Sequence, residues 1–209
     1  MADLTALQAA IEAGDRVTAV RLTKEALVDG LDPKMILDQM TEAMEVVGGR
    51  FQRGELYIPE MLISARAMKE ATAILEPILV GVGFRPEATA VIGTVKGDLH
   101  DIGKNLVAMM WKGAAIEVID LGTNVPPERF VEAARAHNAQ LIGLSALLTT
   151  TMASMRAVVA AVREAGLDGT KVIVGGAPVT PEFAHRIGAD AFAPDAASAV
   201  EVAKAALRR

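Results

Sequence analysis

The 209-residue chain contains no cysteine. A disulfide framework is therefore excluded, and so is any metal site built on thiolates. Aromatic residues make up 3% of the sequence, too few for a base-stacking platform. A basic stripe is missing as well. Lys and Arg total 21 against 26 Asp and Glu, and the formal net charge is −5. The one basic cluster, Arg208-Arg209, reads as a helix end that favours cations. Nucleic-acid binding is not expected on these grounds. No window approaches the ~18 uninterrupted apolar residues of a membrane span. The opening, MADLTALQAA, carries an early acid and no basic segment, unlike a signal peptide. These absences predict a cytoplasmic protein with neither nucleic-acid nor membrane partners. What is present is an ordinary globular balance, 52% hydrophobic and 22% charged, on a chain long enough for two small domains.

Two halves differ in period. Up to about residue 80, apolar positions recur at helical spacing. Leu4, Leu7 and Ile11 mark a first helix ending at Gly14. A second runs from the cap Asp15 to Gly30. A third opens with Asp32-Pro33, carries Ile36, Met40, Met44 and Val47, and is expected to stop near Gly48-Gly49. A fourth begins at Pro59 and places Leu62, Ala65, Thr72 and Leu75 on one face. Four amphipathic helices with short joints predict a bundle. Gly81–Ala88 breaks this pattern and reads as a linker. From Thr89 onward, apolar runs alternate with helical segments: Ala90–Val95, Ile116–Leu121, Leu141–Leu144, Lys171–Val174 and Ala191–Pro194. Five strands alternating with five helices predict a parallel sheet covered on both faces. Runs such as AVIGTV and KVIVGG are continuous, as buried parallel strands require.

In such folds ligands sit beyond the carboxyl ends of the strands. The loop after the first strand is Gly97-Asp98-Leu99-His100-Asp101-Ile102-Gly103. Imidazole is a good ligand for a borderline transition metal, and a ligating histidine usually donates its other N–H to a carboxylate. Asp98 and His100, two apart in extended chain, would point the same way. The same residues also suit a capping aspartate and a surface histidine at a helix start. The loop after the third strand, Ser145 to Thr151, stacks hydroxyls. These can meet a polar ligand or the Asp98 carboxylate, and Thr150 or Thr151 can equally cap the next helix. Gly175-Gly176 permits a tight turn or a close backbone approach. No G-x-G-x-x-G follows the first strand, and neither a P-loop nor a nucleophile elbow is present. His137 and His185 lack ligand partners at helical spacing and read as surface residues.

Together, Asp98-x-His100-x-x-Gly103, Ser145-x-Leu147 and Gly175-Gly176 resemble the signature of cobalamin-binding domains, with matching gaps. Residues 46–70 resemble the helical cap of the B12 module of methionine synthase. They resemble equally the corrinoid proteins of methylamine, methanol and methoxy-aromatic methyl transfer. The resemblance implies an N-terminal four-helix bundle cap over 1–82, a linker at 83–89, and a Rossmann-like (flavodoxin-like) five-stranded parallel sheet with flanking helices over 90–209. It implies cobalamin, as methylcobalamin and cob(I)alamin, with His100 as the lower cobalt ligand in place of the cofactor's own base. Asp98 would hold the distal nitrogen, with Thr151 as the next link. Ser145 would contact the displaced nucleotide tail, and Gly103, Gly175 and Gly176 would line its tunnel. Asp101, Ile102, Leu147 and Thr149 would complete the pocket. Phe51 and Ile58 match positions over the methyl-bearing face.

By the same resemblance the chain is a carrier that is not catalytic alone. It implies a substrate-specific methyltransferase, a corrinoid:acceptor methyltransferase (folate or thiol) and a reductive activator as partners. The alternatives are a B12-dependent regulator and the B12 module of a mutase or of methionine synthase. A mutase small subunit typically lacks the helical cap. Methionine synthase needs thiolate zinc, which this sequence cannot supply. A regulator needs a DNA-binding segment, and the first 30 residues are too short for one and carry the wrong charge.

Overall fold

The computed structural model describes residues 3–81 and 86–208. They fall into two compact units, Met1–Pro86 with Gly113–Ala115, and Glu87–Lys112 with Ile116–Arg209. Among the described residues no helix is long and apolar enough to cross a membrane.

The first unit holds α1 (Leu4–Glu12), α2 (Arg16–Val28), α3 (Pro33–Gln52) and α4 (Ile58–Gly81). Asp3, Asp15 and Asp32 open the first three helices by accepting the backbone N–H groups of Ala6, Thr18 and Lys34. These bonds satisfy donors that a helix start leaves unpaired. Leu7, Ile11, Ile36, Met40, Met61 and Leu75 are buried at the centre of the four helices. One boundary differs from the sequence reading. α3 passes through Gly48-Gly49 and continues to Gln52. Burial of Val47 and Gly48 keeps that face packed and outweighs the helix cost of glycine, about 1 kcal/mol each. The stop is at Gly54, whose φ is +72°. The Glu55 N–H donates to the Arg50 carbonyl and the Gly54 N–H to that of Phe51, which closes the helix end. α4 runs through Pro77 to Gly81, held by buried Leu75 and Leu79. Of the expected linker, residues 82–85 lie outside the described residues.

The second unit is a doubly wound sheet. Its elements are β1 (Ala88–Thr94), α5 (Ile102–Gly113), β2 (Ile116–Asp120), α6 (Pro127–Ala136), β3 (Leu141–Ser145), α7 (Met152–Glu164), β4 (Lys171–Gly175), α8 (Pro181–Ile187), β5 (Ala191–Ala193) and α9 (Ala196–Leu207). β1 starts two residues earlier than its apolar run, because Ala88 and Thr89 pair with Ile116 and Glu117. All strands are parallel, in the order β2-β1-β3-β4-β5. This is the flavodoxin-like order, and its switch point lies between β1 and β3. One face is covered by α6, α7 and α8, with Phe130, Ile142, Met155 and Phe183 in its core. On the other, Trp111 of α5 is fully buried and donates its indole N–H to the Ala199 carbonyl of α9 at 2.9 Å. Gly93 and Gly143 in the two central strands make room for these rings. A Cβ at either position would stand 2.8 Å from a ring carbon of Phe130 or Trp111.

Candidate functional site

The loops after β1 and β3 flank the switch point, and the functional groups meet there. Thr94, Ser145 and Gly175 lie side by side in register at the carboxyl ends of β1, β3 and β4. The row continues to Ala193 of β5, so four strands end in small residues on one line.

Asp98 is fully buried in the loop after β1. Its Oδ1 accepts the His100 backbone N–H at 3.1 Å and lies 2.7 Å from the ring Nδ1. Its Oδ2 accepts the backbone N–H groups of Leu147 and Leu148 at 2.8 and 3.3 Å and the Thr151 hydroxyl at 2.7 Å. Burial pushes the carboxyl pKa up. The bonds from Leu147, Thr151 and His100 outweigh it together and hold the group well below the ordinary carboxylate range. An ionised carboxylate only accepts, so Nδ1 must carry the proton that bridges to it. Nε2 is then the ring's free lone pair in neutral imidazole. The His100 side chain is 51% exposed, so that nitrogen is open to a ligand.

Thr151 stands at the N-cap position of α7 but makes no capping bond. Its hydroxyl is aimed at Asp98, also within 2.8 Å of the Leu148 carbonyl, and the charged acceptor is the stronger partner. Thr149 and Thr150 are exposed, Ser145 is half-buried, and Asp101 is exposed immediately before α5. Gly176 has a φ of +128°, and a Cβ there would meet the Ala146 carbonyl oxygen at 1.9 Å. A Cβ on Gly175 would stand 2.8 Å from the Ala193 carbonyl. The chain's own packing therefore requires both glycines. Gly103 is different: nothing lies within 4 Å of a Cβ built on it. Phe51, in the last turn of α3, is half-buried, and Ile58 opens α4 with 41% exposure. Both belong to the helical unit. His137 and His185 are exposed and stand apart from the Asp98 bonds.

Large apolar side chains beside the imidazole face solvent. Leu99 and Ile102 are 72% and 71% exposed, and Leu147 and Leu148 are more than 40% exposed. Such a cluster of exposed apolar side chains, around the start of α5 and in the loop after β3, is the kind of surface an apolar ligand can cover. Among the described residues no group of three or more His, Asp or Glu is placed to hold a metal ion. A metal at His100 must therefore bring its other ligands with it.

A family model described as a B12 binding domain matches residues 88–204, and a second with the same description matches 4–76. The chain belongs to the B12-binding corrinoid proteins.

Among its relatives is a trimethylamine corrinoid protein of Methanosarcina acetivorans, 40% identical over 93% of this chain and 91% of that protein. Among solved structures, a cobalamin-binding protein of Desulfitobacterium hafniense matches with a TM-score of 0.83 and 32% identity, covering 99% of both chains. The methanol:cobalamin methyltransferase complex of Methanosarcina barkeri matches with a TM-score of 0.88 and 28% identity, over 98% of this chain and 79% of that one. As a corrinoid protein, the chain binds cobalamin. The residues present suit that group: one free imidazole nitrogen, exposed apolar side chains beside it, and space at Gly103 that no side chain among the described residues fills.

Four groups of the site escaped the sequence reading. The Leu147 and Leu148 amides are main-chain donors with no residue signature. Thr94 is fully buried and donates its hydroxyl to the His100 carbonyl at 2.8 Å. Its signal was a threonine closing an otherwise apolar strand. Asn124, in the loop after β2, donates its N–H to the Asp98 carbonyl.

Proposed function

We propose that this protein is a corrinoid carrier that holds cobalamin with the cofactor's own base displaced and His100 on the cobalt. It then passes a methyl group from a substrate-specific methyltransferase to an acceptor methyltransferase. One observation carries this reading: a half-exposed imidazole has its Nδ1 spent on a buried carboxylate and apolar side chains on both sides of it. The relatives' names support it, since they include a trimethylamine corrinoid protein and a methanol:cobalamin methyltransferase complex.

The corrin supplies a cobalt that takes up and releases a methyl group. The protein's own residues do the rest. His100 offers Nε2 to the metal. Asp98 fixes the tautomer and raises the basicity of the ring. Thr151, with the Leu147 and Leu148 amides, keeps Asp98 ionised. Leu99, Ile102, Leu147 and Leu148 would pack against the bound group and keep water from His100. Ser145 and the glycines 103, 175 and 176 make the passage for the nucleotide tail, with Asp101 and Thr149 at its polar edge. A reductive activator would be a further partner, and the protein would work in the cytoplasm.

The test uses the cobalt(II) form of the loaded protein, prepared once with ordinary and once with 15N-labelled histidine. With His100 on the metal, the nitrogen splitting of the electron paramagnetic resonance lines changes from threefold to twofold. If the splitting is unaffected by the label, the base is not His100 and the reading fails.

Gly103 gives an independent check. Alanine there adds a methyl group into open space within α5, so stability should be unchanged or up by about 0.5–1 kcal/mol. Cobalamin binding, measured by titration, should weaken at the same time. Unchanged affinity would mean that the space beside Gly103 is not part of the pocket.

A further inference from the structure

The end of β2 and the loop after it hold the His100 loop and the first turn of α5 that follows it. At the start, Asn124 donates its backbone N–H to the Asp98 carbonyl at 2.9 Å, and its side-chain Oδ1 accepts the Gly97 N–H at 2.8 Å. At the far end, Asp120 accepts a hydrogen bond from the Lys104 ammonium at 2.5 Å. The same ammonium donates to Asn105 Oδ1 at 2.6 Å, and Asn105 Nδ2 donates to Asp101 Oδ2 at 3.1 Å. Asp101 follows His100 directly. Asp120 is itself fixed, since its Oδ1 accepts the Gly122 N–H at 2.8 Å.

Both anchors are unusual choices for stability alone. Lys104 is only 2% exposed and sits in the first turn of α5, where the helix dipole opposes a cation. Burying an ammonium is expensive even when it is paired, and an apolar side chain of similar volume often serves stability as well or better. Asn124 has a φ of +56°, which asparagine tolerates but glycine would adopt more easily. Methionine at 104 and glycine at 124 could not, however, hold the polar ends of a neighbouring loop.

The bonds from Leu147, Leu148 and Thr151 fasten the His100 loop to β3, on one side of β1. Those from Asn124 and Asp120 fasten it to β2, on the other side. A loop tied on one side alone can still pivot about β1. We propose that the Asp120–Asn124 loop is a positioning clamp for the His100 loop, with Lys104 as its buried anchor, so that the imidazole stands at a single angle to its ligand. This role presupposes the cobalt reading for its purpose, though it can be measured on the apo protein.

The test compares wild type with Lys104→Met and Asn124→Gly. The melting midpoints of both variants should lie within about 4 °C of wild type. In the apo protein, amide hydrogen exchange at His100 should speed up about tenfold, the effect of weakening one hydrogen-bonded anchor. The 15N resonances of its ring should move towards a mixture of tautomers. In the cobalamin-loaded protein, the fraction of cobalt(II) signal with histidine nitrogen splitting should fall. The clamp is refuted if both variants keep the wild-type exchange rate, ring shifts and splitting. It is refuted also if exchange rises only in step with global unfolding. Should Lys104→Met not fold, Asn124→Gly decides alone, because that exposed loop position accepts glycine. If wild type binds no cobalamin, the carrier reading falls, while the apo measurements still decide the clamp.

Discussion

Replacing His100 with alanine should leave a folded protein that has lost its hold on cobalt. The side chain is half exposed, and its one hydrogen bond among the described residues is the Nδ1 contact with Asp98. Alanine keeps the backbone N–H that also reaches Asp98, and the Leu147, Leu148 and Thr151 donors are untouched. The carboxylate thus keeps most of its partners, and unfolding free energy should fall by no more than about 1–2 kcal/mol. The cofactor loses a bond of a different order. Altering the partners of a metal ligand alone typically costs 10–100-fold in affinity. Removing the ligand should therefore weaken binding by more than about a hundredfold. Titration with hydroxocobalamin, followed by absorption, measures both: wild type should bind one corrin per chain with a shifted spectrum, and the variant should show the spectrum of the free cofactor. A variant that retains the wild-type shift would place the metal elsewhere.

Asp98→Asn should strike both stability and ligation. Five donors converge on the Asp98 carboxylate, and a carboxylate can accept them all. An amide cannot. With its NH2 towards Leu147 and Leu148, two backbone N–H groups lose their acceptor. With its NH2 towards His100, one backbone N–H is orphaned and the ring can adapt by turning Nδ1 into an acceptor. The second arrangement costs less, and it moves the imidazole proton to Nε2, the nitrogen that the proposed ligation would use. The cost to folding should be about 3 kcal/mol, the scale of a broken buried charge network. Cobalamin affinity should fall 10–100-fold, about the loss seen when a ligand's partner is removed. The 15N shifts of His100 in the apo variant would display the reversed tautomer directly. A ring still protonated on Nδ1 would show that Asp98 does not set it.

The same carboxylate makes stability depend on acid. Its folded pKa lies below the ordinary 3.8, so the unfolded chain takes up the proton first as pH falls. The Asp98 contribution is therefore complete above about pH 5 and declines as the medium acidifies through and below the unfolded value. Asp98→Asn removes that titration. Its unfolding free energy should fall less steeply than that of wild type between about pH 5 and pH 3. Parallel curves would mean that other carboxylates account for the acid sensitivity.

Much of this architecture is written in local pattern. The alternation of apolar runs and helical segments places all five strands within a few residues of their positions. The aspartate caps of α2 and α3 are readable because an N-cap depends on neighbours three residues away. Glycine was a weaker guide. Gly48-Gly49 looked like a helix end, but burial of the surrounding face carried α3 onward, and the real stop needed Gly54 with its positive φ. Among Thr149, Thr150 and Thr151, nothing local says which hydroxyl turns inward. Thr151 does so because helix α7 starts there and brings its side chain back against Asp98.

The residues alone determined the order of elements, the absence of a thiolate site, and the one loop in which an imidazole and a carboxylate stand two positions apart. Those facts depend on composition and on short-range geometry, which a linear chain displays in full. Only the folded chain decided that Asp98 would be fully buried and ionised, and that Nε2 would be left free. Its partners lie 49, 50 and 53 residues away. They arrive because β1 and β3 pair in one register, Thr94 beside Ser145, so that their loops emerge together. The bonds from Asn124 and Asp120 depend likewise on β2 pairing along the other edge of β1. Parallel pairing between distant segments leaves no mark on the spacing of either one, and it is this pairing that holds the half-exposed imidazole of His100 against a buried carboxylate.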